Sequence, residues 1–325
     1  MIVTSKFIPA KGLAGCHRQT VLPSILNPKV DFVPERERLI MPDGDAVEFD
    51  WVNEVGDGPI VIMLHGMAGS IESSYIRGLT RQLIAHNWRG LMMYYRGHGE
   101  DSTVSDRSYH LGDTLPLNTL VFDLHKRFPN TPLFLIGFSM GGNVTLKWLG
   151  EAGKNAPITA AVAVSTPFDL RMSAHHIRYG SGKFYQWYLL SELHDHLKDK
   201  YKDKEAPFDF DEVGKSASFW EFDDKVTAPI NGFKDAADYY DQSSSRQFMR
   251  NIAVPTLCIN ALDDPFMPPE VIPDEYEISE HITIEVSEHG GHVGFVSGTW
   301  HHPEFWLERR IPEFIAQHLE PVSHA

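Results

Sequence analysis

Short apolar segments alternate along this chain with helix-length segments of mixed character. Nearly continuous apolar runs of four or five residues are typical of parallel strands that are covered on both faces. Six such runs occur, at residues 60–64, 91–95, 133–136, 160–164, 256–260 and 282–286. Because parallel strands need crossover connections, we expect helices between them. The pattern predicts an α/β protein with a mostly parallel central sheet and helices on both faces.

Both ends of the chain extend this prediction. Residues 38–41 and 47–51 are separated by the turn sequence PDGD at residues 42–45, which predicts an antiparallel strand pair at the start of the sheet. Residues 303–318 carry apolar positions at helical spacing and predict a closing helix.

The alternation stops between residues 167 and 250, where charged and aromatic residues mix and no strand pattern is visible. We interpret this segment as a helical cap insertion into a core formed by residues 1–166 and 251–325. The length of 325 residues fits one large domain with such an insertion. Aromatic side chains of the insertion are expected either to pack it onto the sheet or to line a substrate channel: Phe184, Tyr185, Trp187 and Tyr188.

Residues 137–141 read GFSMG, the pattern of a nucleophile elbow. In this motif a serine lies on a tight turn between a strand and a helix, and the flanking glycines leave room where the two elements converge. Ser139 follows the apolar run 133–136 and precedes a helix-forming segment at residues 142–149, whose N-terminal dipole would favour a developing anion. The alternative is a tight strand-to-helix turn without catalytic function.

A serine nucleophile needs a histidine base and a carboxylate that orients it. Two carboxylates, Asp263 and Asp264, follow the apolar run 256–260 at the carboxyl end of a predicted strand. We favour Asp264, which lies four residues before Pro268, and interpret Asp263 as a hydrogen-bonding residue of the same loop.

The base is expected in the glycine-rich loop 287–295, after the last predicted strand. We favour His292 over His289, because glycines on both sides suit a side chain that enters a crowded site. The chain order of serine, acid and histidine is then that of α/β-hydrolases.

Backbone N–H groups must stabilise the oxyanion that forms during acyl transfer. The expected donors are the amides of Met140, directly after the nucleophile, and of Met67 in the loop at residues 65–70. His65 is interpreted as a structural hydrogen-bonding residue. Arg96 either orients its loop near the site or forms a structural ion pair.

Composition excludes several function classes. The chain has 29 Lys and Arg against 44 Asp and Glu, a net charge of -15, which disfavours nucleic acid and anionic membrane surfaces as partners. No apolar stretch approaches the ~20 residues of a membrane-spanning helix. The histidine pairs at residues 175–176 and 301–302 lack carboxylate or cysteine partners at metal-ligand spacing, so we expect no metal. No phosphate-binding loop is visible in the sequence, and we expect no cofactor.

Two cysteines, Cys16 and Cys258, are too few for a disulfide framework and fit a reducing compartment, so we expect a cytoplasmic protein. The sequence LAGC at residues 13–16 has the form of a lipoprotein cleavage box. Lys6, Pro9 and Lys11 interrupt the preceding segment, and we interpret the box as a coincidence.

These motifs, taken in order, resemble the YheT-like family of α/β-hydrolases, which is related to eukaryotic abhydrolase-domain esterases and phospholipases. Besides the elbow and the Asp264 and His292 loops, the resemblance rests on HRQTVLP at residues 17–23, PDGD at 42–45 and HGMAGS at 65–70. It implies the α/β-hydrolase fold and hydrolysis of carboxylic esters, with phospholipids or acyl transfer to alcohols in some relatives. Position 98 is a histidine in this chain and a cysteine in many relatives, so the resemblance does not extend to the shape of the pocket.

The sequence thus predicts a serine hydrolase that cleaves small-molecule or lipid-like esters of short to medium acyl chain. An acyltransferase is the alternative with the same chemistry, and a non-catalytic binding protein on this fold is the alternative from another class.

Overall fold

The computed structural model describes residues 1–30, 32–56, 58–97 and 106–319. The strands in this part of the chain are β1 (Ile2–Thr4), β2 (Glu35–Ile40), β3 (Ala46–Asn53), β4 (Ile60–Leu64), β5 (Arg89–Met93), β6 (Leu133–Phe138), β7 (Ala160–Val164), β8 (Thr256–Ala261), β9 (Ile282–Ser287), β10 (Val296–Gly298) and β11 (Pro303–Phe305).

The helices are α1 (Cys16–Leu26), α2 (Ser74–Ala85), α3 (Leu115–Arg127), α4 (Met140–Ala152), α5 (Leu170–His176), α6 (Gly182–Lys200), α7 (Phe210–Val213), α8 (Phe219–Phe222), α9 (Ala228–Asn231), α10 (Ala236–Ser243) and α11 (Leu307–Gln317). A π-helical turn, Asp223–Thr227, connects α8 to α9. Short 3-10 turns lie at Gly153–Asn155, Arg246–Asn251, Pro269–Val271 and Glu275–Glu277.

Nine of the described strands form one sheet in the order β1-β9-β8-β7-β6-β4-β5-β3-β2. Strands β4 to β9 and β1 are parallel, while β3 pairs antiparallel with both β2 and β5. The mostly parallel sheet with an antiparallel start is therefore confirmed. Its carboxyl ends converge at one edge, where the loops after β4, β6, β8 and β9 meet.

Two apolar layers cover the sheet, because side chains alternate between its faces. Along β4, Ile60, Ile62 and Leu64 face the layer that contains buried residues of α3 and α4. Val61 and Met63 face the opposite layer, which contains buried residues of α2 and α11. All five side chains are fully buried, so helices on both faces exclude water from the sheet.

Between β7 and β8 the described chain forms helices α5 to α10 and contributes no strand to the sheet. Buried residues of these helices form an apolar cluster of their own, which includes Leu170, Leu190, Phe219 and Tyr239. Met67 from the loop after β4 packs against this cluster. The helical segment therefore lies over the carboxyl edge of the sheet.

The secondary structure differs from the expected elements in three main places. The strand expected at residues 91–95 is Arg89–Met93, because the chain leaves the sheet before Tyr94 and Tyr95. The closing helix is shorter than 303–318, since Pro303–Phe305 pairs as a strand with β10 and the helix begins at Leu307. The sheet also gains β1, whose three residues are too few to show a periodic pattern.

The expectation for the insertion's aromatic residues is wrong for three of the four. Phe184, Trp187 and Tyr188 are 64%, 64% and 47% exposed, while Tyr185 is buried and its ring lies 4.9 Å from that of Phe266. Positions 184, 187 and 188 share one face of α6 at helical spacing, so a helix that turns Tyr185 inward turns these three outward.

Candidate active site

Ser139 lies on the turn between β6 and α4, with φ 52° and ψ -116°, a conformation that non-glycine residues adopt only under strain. Its backbone N–H donates to the carbonyl of Val164 at 2.8 Å. The sharp turn leaves the side chain facing the cavity described below. This is the local geometry that the GFSMG pattern predicts.

The two elbow glycines make this turn sterically possible. A Cβ on Gly137 would lie 2.2 Å from the backbone oxygen of Gly141, and a Cβ on Gly141 would lie 2.5 Å from the backbone oxygen of Leu64. Both contacts are with backbone atoms, which cannot move aside without displacing a strand or a helix. The close approach of β6, α4 and β4 therefore requires glycine at both positions.

His292 lies between Ser139 and Asp264. Its Nε2 is 2.8 Å from Ser139 Oγ, and its Nδ1 is 2.8 Å from Asp264 Oδ2. An ionised carboxylate only accepts hydrogen bonds, so Nδ1 carries the proton and Nε2 is left as the acceptor for the serine hydroxyl. The loops after β6, β8 and β9 thus bring these three side chains into one hydrogen-bonded chain.

Contacts with Phe266 hold the Asp264 carboxylate and the His292 imidazole in place. Asp264 has a fully buried side chain, and its Oδ1 accepts the backbone N–H of Phe266 at 2.9 Å. The ring of Phe266 stacks on that of His292 with centroids 3.9 Å apart and an interplanar angle of 20°. The imidazole is therefore restricted in both tilt and rotation.

Asp263 and His289 occupy a different part of the same loops. Asp263 accepts the backbone N–H of Gly291 at 2.9 Å, and His289 Nδ1 lies 3.4 Å from its other oxygen. Burial raises the pKa of Asp263 above its usual value. The His289 side chain is 42% exposed and pairs with Asp263, whereas the histidine that pairs with Ser139 is His292. Asp263 thus holds the backbone of the histidine loop.

Sequence reasoning missed a second support of that loop, which comes from α1. Thr20 Oγ1 accepts the backbone N–H of His292 at 3.0 Å. The buried side chain of Gln19 donates to the carbonyl of Val296 at 3.0 Å and accepts its N–H at 2.7 Å. The HRQT segment, noticed only through the family resemblance, is the signal that marked these residues.

The two expected oxyanion donors flank the elbow. Met140 is the first residue of α4, where backbone N–H groups have no partner within the helix. Met67 belongs to the loop after β4. The residue before it, Gly66, lies close to the nucleophile, because a Cβ added there would be 3.3 Å from the Cβ of Ser139. Both methionines line the same cavity as Ser139.

Two further residues singled out in the sequence have structural contacts. His65 is buried, and its Nδ1 donates to the carbonyl of Gly66 at 2.7 Å. Arg96 is buried, away from the Ser139 cavity, and pairs with three carboxylates, which belong to Asp43, Asp45 and Asp113. Of the two possibilities for Arg96, the structural ion pair is therefore correct. His98, the departure from the family pattern, lies outside the described residues.

A cavity of about 320 Å³ opens at Ser139. Its floor is formed by the elbow, His292 and the loop after β4, and its roof by the helical segment. The roof is largely apolar and includes Leu170, Ala174, Ile177, Leu189 and Phe219. One acidic side chain, that of Asp223, interrupts this apolar roof. Burial raises the pKa of Asp223 to about 6.

In the described ranges, no group of three or more His, Cys, Asp or Glu side chains is arranged to hold a metal ion. Nor does any helix within those ranges have both the length and the apolar character needed to cross a membrane.

Comparison with known proteins places this chain in a family. The family model described as alpha/beta hydrolase fold matches residues 59–299. The chain is 37% identical to YheT of Escherichia coli (strain K12), a protein named as an esterase, over 98% of this chain and 96% of the relative. It is 26% identical to the phospholipase ABHD3 of Mus musculus, over 98% of this chain and 80% of the relative.

A solved structure shares the fold at lower identity. The esterase Pf2001 of Pyrococcus furiosus superposes with a TM-score of 0.58 at 20% identity, covering 90% of this chain and 97% of that one. This likeness shows the fold. The family model and the 37% identity to YheT show that the chain belongs to the YheT-like family of α/β-hydrolases.

Proposed function

We propose that this α/β-hydrolase is a serine esterase that cleaves carboxylic esters of short to medium acyl chain. One observation carries the proposal. Ser139 Oγ, His292 and Asp264 form a chain of two 2.8 Å hydrogen bonds on the floor of a largely apolar cavity. A strained serine that faces a cavity within reach of an oriented imidazole is the arrangement that nucleophilic acyl transfer needs.

In the acylation step Ser139 Oγ attacks the ester carbonyl carbon while its proton moves to His292 Nε2. The Nδ1–H bond to Asp264 holds the ring in the required tautomer and stabilises the imidazolium that forms. Collapse of the tetrahedral intermediate breaks the bond to the alcohol oxygen. The departing alkoxide takes the proton from His292 Nε2, and the acyl group remains on Ser139.

In the deacylation step a water molecule takes the place of the alcohol. His292 accepts its proton, the hydroxide attacks the acyl carbon, and the proton returns to Ser139 Oγ as the carboxylic acid leaves. In both steps the negative charge develops on the former carbonyl oxygen. We assign its stabilisation to the backbone N–H groups of Met140 and Met67.

Residues 167–250 act in this proposal as a cap over a core of residues 1–166 and 251–325. The cap supplies most of the apolar roof of the cavity. Each methylene that the roof buries contributes about 0.8 kcal/mol at most, so activity should rise with acyl length until the cavity is full. A cavity of about 320 Å³ favours short and medium chains over long ones.

A labelling experiment tests the mechanism, and an ester panel tests the substrate class. A fluorophosphonate probe should label the wild-type chain at Ser139, and Ser139→Ala should remove both labelling and hydrolysis. A folded Ser139→Ala variant that keeps most of its activity contradicts the proposal. With p-nitrophenyl esters, kcat/KM should pass through a maximum at intermediate acyl length, and a value that climbs steadily to long chains indicates a lipase instead.

Two outcomes would identify the alternatives. Formation of ethyl esters in preference to acids, when ethanol is added, indicates an acyltransferase. Failure of any ester to react, together with failure of the probe to label, indicates a binding protein on this fold.

A further inference from the structure

Asp223 faces the same cavity as Ser139, from the roof rather than the floor. It is 7% exposed and begins the π-helical turn Asp223–Thr227. Single π-helical turns are uncommon and recur at functional sites, because they redirect one side chain out of the regular helical pattern. Here the first residue of the turn is a carboxylate, Asp223.

Two hydroxyl groups hold this carboxylate in place. Thr227 Oγ1 donates to Asp223 Oδ1 at 2.6 Å, and the Tyr240 hydroxyl donates to Oδ2 at 2.6 Å. Within the described residues no Lys, Arg or His forms an ion pair with Asp223. Each carboxylate oxygen can accept a second hydrogen bond. Asp223 is thus an oriented carboxylate that can accept further hydrogen bonds.

The buried, apolar surroundings make it unfavourable for this carboxylate to lack further hydrogen-bond donors. The nearby roof side chains are apolar, and burial raises the pKa of Asp223 to about 6. A purely apolar occupant would remove water from the carboxylate without offering it a donor beyond Thr227 and Tyr240, and desolvating a charged group in this way is unfavourable. Simple packing of the cap onto the sheet requires no charge at this position.

We propose that Asp223 is a specificity-determining residue, which accepts a hydrogen bond from a hydroxyl group on the substrate. The inference rests on the proposed esterase function and deepens it: the preferred esters carry a hydroxyl remote from the scissile bond. A hydroxyl needs only one acceptor, which the carboxylate supplies. An ammonium group has three donors and would leave some of them unsatisfied in an apolar cavity.

Matched ester pairs test the proposal. Each pair consists of an unsubstituted p-nitrophenyl acyl ester and the ester with one hydroxyl, placed at successive carbons of the acyl chain. For the best position, wild type should prefer the hydroxylated ester by about 10-fold or more in kcat/KM, the ratio expected for a hydrogen bond to a charged group. Asp223→Asn should lower this preference by about 10-fold, and Tyr240→Phe by less.

Asp224→Asn is the matched control, because Asp224 is the next residue in the chain and is exposed. It should keep the wild-type preference. Absence of any hydroxyl preference in wild type overturns the inference, as does a preference that survives in Asp223→Asn or a stronger preference for ammonium-bearing esters.

Fluorophosphonate labelling distinguishes a failure of the Asp223 inference from a failure of the proposed esterase function. If the probe labels Ser139 and both esters of each pair react equally, only the role of Asp223 is wrong. If neither labelling nor hydrolysis occurs in wild type, the esterase function itself is wrong. Labelling of Asp223→Asn at the wild-type rate shows that its site is folded.

Discussion

Thr20 Oγ1 accepts the backbone N–H of His292 at 3.0 Å, across 272 positions of the sequence. The same hydroxyl donates its own proton to the carbonyl of Cys16 at 2.8 Å, so its lone pairs are directed at the histidine loop. A Cβ on Gly291 would lie 2.5 Å from that carbonyl. Helix α1 and the histidine loop are therefore in close backbone contact, and the position of the imidazole depends on both.

The first prediction follows from this contact. Thr20→Val keeps the shape of the side chain but removes the acceptor, so the His292 backbone can shift and kcat/KM for esters should fall by about 10-fold. The rate of fluorophosphonate labelling should fall in parallel. Thr20→Ser restores the hydroxyl and should restore both rates.

A matched control distinguishes positioning from general loss of stability. The hydroxyl of Thr119 in α3 makes the same kind of bond, to the carbonyl of Leu115 at 2.9 Å, but lies away from the cavity. Thr119→Val should leave ester hydrolysis unchanged. Equal losses in the two valine variants would argue against a positioning role for Thr20.

The second prediction separates the two neighbouring acids. Asp264→Asn should lower kcat by about 10⁴, because an amide in place of the carboxylate favours the wrong imidazole tautomer. Asp263→Asn should lower it far less, since Asp263 bonds the backbone of Gly291 and not the ring of His292. Steady-state kinetics on both folded variants decides, and reversed losses would transfer the role to Asp263.

The third prediction concerns the stability of the elbow. Gly137→Ala should lower the free energy of unfolding by about 3 kcal/mol or more, or prevent folding, because the added methyl meets the backbone of Gly141. Gly15→Ala is the control: nothing lies within 4 Å of its added Cβ, and its φ of -76° suits any residue. Thermal denaturation of the two variants should therefore differ clearly, and similar Tm values would contradict the tight packing of the elbow.

The fourth prediction concerns the dependence of stability on pH. Burial raises the pKa of Asp223 from 3.8 to about 6, so folding favours its neutral form. The stabilisation from this group is complete below the unfolded pKa and is lost as the pH rises through the folded value. Between about pH 5 and pH 7.5, wild type should therefore lose about 1 kcal/mol of stability relative to Asp223→Asn.

The groups around Asp223 do not obscure this measurement. Thr227 does not ionise, and burial raises the pKa values of Tyr109, Tyr239 and Tyr240 above 10. Burial lowers the pKa of His110, in the adjoining cavity, to about 4, below the measured range. Denaturant unfolding of both proteins at the two pH values gives the difference, and parallel curves would contradict the shifted pKa.

Part of the candidate site was accessible from local pattern. The GFSMG segment follows a fully apolar strand and precedes a helix, and the interaction that defines the elbow involves residues only four positions apart, Gly137 and Gly141. Asp264 and His292 follow strands of a parallel sheet, whose carboxyl ends share one edge. Chain order and strand periodicity were therefore enough to predict that the three side chains lie near one another.

Two features were not accessible in this way. Phe184, Trp187 and Tyr188 gave no local sign of being exposed, because the face that α6 buries depends on its neighbours in the cap. Asp223 likewise reads as one of two surface acids, Asp223 and Asp224, until the fold buries one and exposes the other. Nothing in the surrounding residues distinguishes them.

By itself, then, the sequence determined the six central parallel strands, the antiparallel pair before them and the nucleophile elbow, because each depends on apolar patterning or on contacts between near neighbours in the chain. The tertiary structure alone decided which partner supports His292 and which acid faces the cavity. Those contacts join Thr20 to residue 292 and Asp223 to Tyr240, and their energies depend on burial and on distances that exist only after the distant segments have packed together.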